Sequence, residues 1–183
     1  GVNPTKNMPL QESNDKADKR VIFGFIGNIS PRKGCHILLS AWSKLEKKCK
    51  KSLILQGKIY PGYKKLMNQK DITYCEFGDA EKFFNQIDVL ILPSLMEGSA
   101  KVIYEAVIRG IPVIASEYSG APYYDGYGII QLNSVDETEL INKMNVFIEN
   151  PYRLNKDYVK NFTESFTWKE YSRKLQELML CKF

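Results

Sequence analysis

The chain has 183 residues, a mass of 21.1 kDa and a formal net charge of +5. That length suits one domain, and eleven Tyr, nine Phe and two Trp supply apolar surface for a core, which excludes disorder as the main state. The positive lean is mild, so no nucleic-acid partner is expected, and no run of ~18 uncharged apolar residues is present to span a bilayer.

Residues 1–20, GVNPTKNMPLQESNDKADKR, are polar, lack a sustained period and lack the apolar core of a signal peptide; they read as a linker in a cytoplasmic protein. Residues 21–183 then alternate between two kinds of segment. Short apolar runs are VIFGFIG (21–27), SLILQG (52–57), ITYCEF (72–77), DVLILP (88–93), IPVIAS (111–116) and YGIIQL (127–132). Most are apolar on successive residues, which suits strands buried on both faces. Between them, GCHILLSAWSKLEKK places Ile37, Leu38, Ala41, Trp42 and Leu45 at helical spacing. SAKVIYEAVIRG does the same with Val102, Ile103, Ala106 and Val107, then stops at Gly110 with Pro112 beyond. ETELINKMNVFIEN and the terminal WKEYSRKLQELML are also amphipathic. The alternation predicts βαβ units with right-handed crossovers: an α/β, doubly wound parallel sheet of Rossmann-like type in a single domain. The basic run KLEKKCKK, Lys44 to Lys51, reads as the solvated end of the first helix, where lysines complement the macrodipole. Cys35, Cys49, Cys75 and Cys181 form no CxxC pair, and His36 is the one histidine, so reduced, mostly buried thiols and no metal site are expected.

In such sheets ligands bind beyond the carboxyl ends of the strands, so chemistry is sought in the loops there. The first loop, Gly27-Asn28-Ile29-Ser30-Pro31-Arg32-Lys33-Gly34, matches neither GxxxxGK[ST] nor GxGxxG, yet it sets Arg32 and Lys33 at its mouth, where a phosphate needs positive charge and donors. The second, from Pro93 through Glu97 and Gly98 to Lys101, opens a helix that carries Glu105. Helix N-terminal amides are unpaired and suit an anion, and no Glu or Gln at Val102 completes a capping box over them. Carboxylates repel phosphate but accept hydrogen bonds from vicinal hydroxyls, so a cationic mouth beside Glu97 and Glu105 suits a ligand with both diphosphate and sugar. Ser116 to Pro122 forms a third loop, with free amides at the same edge. Gln56-Gly57-Lys58 and Phe77-Gly78-Asp79 offer backbone groups to the edge of a base, with Tyr60, Tyr63 or Phe77 as a stacking surface.

These loops, in this order, resemble the C-terminal, donor-binding half of retaining GT-B glycosyltransferases, in particular family 4. The specific part is Pro-Ser-Leu-Met-Glu-Gly, then Glu105 with seven residues separating it from Glu97, then Ala106, Gly110, Ile111 to Ser116, and Gly120. Phe166-Thr167-Trp168 and the last helix resemble the family's closing segment, which crosses back onto the N-terminal domain, and Gly1-Val2-Asn3 is similar to the start of its interdomain linker. The resemblance implies that Lys33 neutralises the donor diphosphate, Glu97 contacts hydroxyls of the transferred sugar and Glu105 binds the ribose. It also implies that Gly27, Asn28, Arg32, Gly57, Gly78 and the backbone of Gly98, Ser99, Ala100, Lys101 and Val102 line the donor site. The family's usual Arg directly after the first loop glycine is Asn28 here, with Arg32 as the candidate substitute.

The implied activity is transfer of a sugar from a nucleotide-diphosphate sugar of UDP or GDP type, without metal or other cofactor. The acceptor would be a glycan or lipid-linked glycan in cell-surface polysaccharide or lipopolysaccharide synthesis. A GT-B enzyme needs two such domains, so the chain is expected to be a C-terminal domain whose N-terminal partner is missing, cytoplasmic and in peripheral contact with the inner face of the membrane. A nucleotide-sugar epimerase of GT-B type and a noncatalytic nucleotide-sugar-binding domain remain as alternatives. A signalling receiver is disfavoured, because no acidic cluster follows VIFGFIGN.

Overall fold

The computed structural model describes residues 10–11, 20–45, 50–98, 100–120, 128–167, 169–170, 172–173 and 176–177. In chain order the strands are β1 (Leu10–Gln11), β2 (Val21–Ile26), β3 (Lys51–Gln56), β4 (Ile72–Cys75), β5 (Val89–Leu92), β6 (Val113–Ser116), β7 (Ile129–Leu132) and β8 (Arg153–Leu154). The helices are α1 (Cys35–Lys44), α2 (Ala80–Phe84), α3 (Lys101–Val107), α4 (Glu137–Glu149) and α5 (Lys156–Ser165). Strands β2 to β7 form one parallel sheet in the order β4-β3-β2-β5-β6-β7. All four residues of β5 and of β6 are buried, because helices cover both faces.

Alternation along β2 assigns the layers. Phe23 packs edge-on against Trp42 of α1 at 5.9 Å and Phe147 of α4 at 6.2 Å. Its neighbour Gly24 points the other way, where a Cβ would lie 2.6 Å from Ile87 and 2.8 Å from Phe83, so only glycine lets α2 approach the sheet so closely. On the α2 side, α3 is roofed by α5 through Tyr104 and Phe162, whose rings lie 5.3 Å apart. Helix α4 is capped by Asp136, which accepts from the Glu139 amide at 2.9 Å.

Four sequence expectations change. Within the supposed linker, Leu10–Gln11 pairs antiparallel with Arg153–Leu154. Lys51 is buried rather than solvated: it opens β3 with its ammonium 5.5 Å over the Trp42 ring, a cation–π contact. Cys35 is buried as expected, but Cys75 is exposed on the edge strand β4. Helix α5 adds an element that the sequence pattern does not announce; its buried side is one short stripe around Phe162. Gly1 to Asn3, Cys49, Pro122, Trp168 and Cys181 lie outside the described residues.

Candidate functional site

In sheet order, the first strand of the large sheet, β2, lies between β3 and β5. Connections leave on opposite faces there, which makes it the switch point of the sheet, and the loops after β2 and β5 meet at its carboxyl edge. Both loops hold charged residues that the sequence singles out.

Leaving β2, Gly27 donates its amide to Gln56 O at 2.9 Å, and Ile29 donates to Lys58 O and accepts from the Tyr60 amide, both in the neighbouring loop after β3. A 3-10 turn over Pro31–Lys33 ends at Gly34, whose φ of 67° is left-handed. A Cβ on Gly34 would lie 1.9 Å from Pro93 O, so glycine serves two needs here: the turn and the close seating of one loop on the other. Leu95 then donates its amide to Arg32 O at 2.9 Å, and the Arg32 guanidinium donates to Met96 O at 3.3 Å. At the end of this seam the Lys33 ammonium pairs with the Glu97 carboxylate, the two side chains only 14% and 16% exposed.

Three fully buried serines extend the seam toward β6 and α3. Ser94 Oγ makes a long 3.5 Å contact to the same Glu97 oxygen. Ser116 Oγ donates to Ser94 O at 2.5 Å, Ser119 Oγ donates to Ser116 O at 2.6 Å, and the Ala100 amide donates to Ser119 O at 3.1 Å. The start of α3 is thus fixed from β6. Its cap has no side-chain hydrogen bond and its first turn no acidic residue, with Lys101 and Val102 as the first helical residues. Just past the end of α3, Arg109 donates to the backbone carbonyl of Glu105 and pairs with Glu81. Among the described residues nothing pairs with the Glu105 carboxylate itself, which lies on a half-buried side chain.

Several expected residues are placed otherwise than a free donor cradle requires. Arg32 is occupied in bracing Met96, and Asn28 is exposed. The Ala100 amide is spent on Ser119, so it offers nothing to a ligand. Ser99 lies outside the described residues. Gly98 is exposed, Gly57 is buried against Gly27 O, and Gly78 sits exposed in the loop between β4 and α2. The three serines are not marked individually by the sequence; their one signal is that small polar residues follow β5 and β6 directly.

Beside the seam, the loops after β3 and β4 flank a cleft of about 640 Å³ lined by Lys58, Tyr60, Lys64, Glu76 and Phe77. Tyr60 and Phe77 are 55% and 60% exposed. Tyr63 is no stacking surface: it is buried, with its hydroxyl 3.4 Å from His36 Nδ1. Burial pushes the Cys35 thiol up to about 12, so it is protonated at neutral pH and unsuited to attack. Among the described residues no three His, Cys, Asp or Glu side chains gather as a metal site, and no helix is long and apolar enough to cross a membrane.

Charge and topology together bring the Lys33–Glu97 pair, Lys101, Glu105 and a lightly capped helix start to the switch point. Known proteins share this frame. Anabaena HepE, solved in complex with UDP, superposes with a TM-score of 0.70 at 21% identity, over 88% of this chain and 49% of that one. The C-terminal domain of a glycosyl transferase group 1 family protein, LpcC from Francisella tularensis, superposes at 0.69 and 17% identity over 81% of this chain and 87% of that domain. These likenesses establish the fold. Spore coat protein SA of Bacillus subtilis is 28% identical over 180 residues, a match that takes in 86% of this chain and 48% of that protein. A sucrose synthase from Melioribacter roseus is 29% identical over 99 residues, 12% of its own length, so this chain spans half or less of these curated relatives. The family model for glycosyl transferases group 1 matches residues 20–150, most of the chain, and the protein belongs to that family.

Proposed function

We propose that this chain is the donor-binding half of a retaining glycosyltransferase that uses a nucleoside diphosphate sugar of UDP or GDP type. The observation that carries the proposal is the meeting of Lys33 and Glu97, 64 residues apart in sequence, at the switch point between β2 and β5. Lys33 holds the diphosphate and stabilises negative charge on the departing nucleotide, an electrostatic role that needs no proton transfer. Glu97 accepts hydrogen bonds from hydroxyls of the transferred sugar. Glu105, one helical turn past the start of α3 and without a partner among the described residues, takes the ribose hydroxyls. The unengaged amides at Lys101 and Val102 face the distal phosphate. The open cleft by Phe77, Gly78 and Gly57 receives the base. The complex of HepE with UDP supports the choice of nucleotide class.

The relatives' greater length supports a second, N-terminal domain that brings the acceptor, a glycan or lipid-linked glycan, at the cytoplasmic face of a membrane. On this reading the chain binds donor alone and transfers little without that domain. Isothermal calorimetry against UDP, GDP and ADP, repeated on Glu105→Ala, tests it. Saturable binding of UDP or GDP that weakens in the variant is expected. No binding of any nucleotide, or robust transfer by residues 1–183 alone, would contradict it. One observation favours a binding-only role: Arg32 is tied to Met96 O and Asn28 carries no charge, which leaves Lys33 and Lys101 as the cations at this mouth. Product analysis with the second domain restored separates the two.

A further inference from the structure

The Lys33–Glu97 pair poses a question that the roles of its two members do not answer. A diphosphate and the Glu97 carboxylate need the same ammonium. Both side chains are largely shielded from water, so neither charge can be abandoned without cost. The loop that carries this carboxylate is stitched to the first loop by the Leu95 amide on Arg32 O and by Gly34 against Pro93, and Ser94 Oγ contacts the same carboxylate oxygen.

We infer that Glu97 discriminates the sugar-bearing donor from the bare nucleoside diphosphate. The inference rests on the proposed donor reading of this site. When a diphosphate takes Lys33, Glu97 loses its partner and is left beside new negative charge. A nucleoside diphosphate alone offers it nothing in return. A nucleoside diphosphate sugar brings hydroxyl donors that replace the ammonium on the carboxylate, so the exchange of partners is completed. Binding of the intact donor is favoured over the product left after transfer, and the ion pair re-forms as the nucleotide leaves. Glu97 therefore acts against the bare nucleotide rather than merely for the sugar, specificity gained by a repulsive element.

The sign of a substitution reads this out. Removing the Glu97 charge frees Lys33 and should tighten the bare nucleotide, although a residue of the site has been lost. Calorimetry of the full chain with UDP and with UDP-glucose, on wild type, Glu97→Gln and Glu97→Ala, measures it. We expect UDP to bind about tenfold tighter to both variants, and UDP-glucose to gain far less or to weaken, so that the preference for the intact donor collapses. The alanine variant guards against a glutamine amide donating to phosphate on its own account. Binding of UDP by wild type with equal or weaker binding by both variants would overturn the discrimination while leaving the donor site standing. No binding of either ligand by any of the three proteins would overturn both. Circular dichroism of the variants, unchanged from wild type, is the required companion reading; the backbone seam that remains in both predicts it.

Discussion

Along the carboxyl edge of the sheet, the loops after β2 and β5 are locked to each other, whereas those after β3 and β4 flank an open cleft with Tyr60 and Phe77 exposed. The locked side holds Lys33 and Glu97 behind a seam of backbone bonds, and the buried serines tie it on to β6. On the proposed reading, the locked side meets the charged part common to every nucleoside diphosphate sugar, where fixed dipoles and charges cost nothing to reorganise. The open side meets the base, where aromatic faces adapt. Rigidity is concentrated where charge must be placed, and exposure where a flat ring must enter.

Substitutions at the seam should do the most damage. Gly34→Ala drives a Cβ into Pro93 O at a left-handed backbone position and should cost more than ~3 kcal/mol of stability, read as a large drop in the urea midpoint. Gly78→Ala on the open side meets nothing nearer than 3.8 Å and should change stability by less than ~0.5 kcal/mol. Next in size, Lys33→Ala should weaken nucleotide binding by ~2 kcal/mol or more in calorimetry, while Lys58→Ala, in the exposed lining of the cleft, should change it far less. Third, Phe77→Ala should cost about 1 kcal/mol of nucleotide affinity through lost stacking and leave the urea midpoint unmoved, because the ring is 60% exposed.

The smallest effect lies away from both sides. The Ser134 hydroxyl and then the Glu139 amide hold the Asp136 carboxyl below its ordinary range. A depressed carboxyl contributes stability that is present above its unfolded pKa of about 4 and is lost as pH falls through the lower folded value. Asp136→Ala should therefore lower the melting temperature at pH 7, and the gap to wild type should close in acid.

Much of this architecture is legible in the chain. VLIL and VIAS are apolar on every residue because both faces of the sheet are covered, and that pattern by itself marks parallel central strands. The glycine beside Glu97 and the following helix pattern likewise point to the loop after β5. What sequence spacing does not carry is pairing across the sheet. Nothing in the residues around position 33 says that Lys33 reaches a carboxylate 64 residues away, because that contact depends on strand order. The Ala100 amide looks free in the sequence for the same reason: its acceptor, Ser119 O, comes from another loop. A basic run looks like a surface, yet the strand's inward face and the Trp42 ring bury Lys51 at its end. β1 and β8 escape notice because two-residue strands have no period, and α2 because five residues make too short a stripe.

The most direct test of the central claim is a titration of the nitrogen-15-labelled chain with UDP, followed by amide chemical shifts. The largest changes are expected at Lys33, Gly34, Gly98, Lys101 and Glu105, smaller ones at Phe77 and Gly78, and none at the sheet's amino edge. A cavity of about 260 Å³ there, lined by Trp42, Leu45, Lys51 and Gln69, serves as an internal control. Shifts centred on that cavity, or none at saturating UDP, would contradict a nucleotide site at the switch point between β2 and β5.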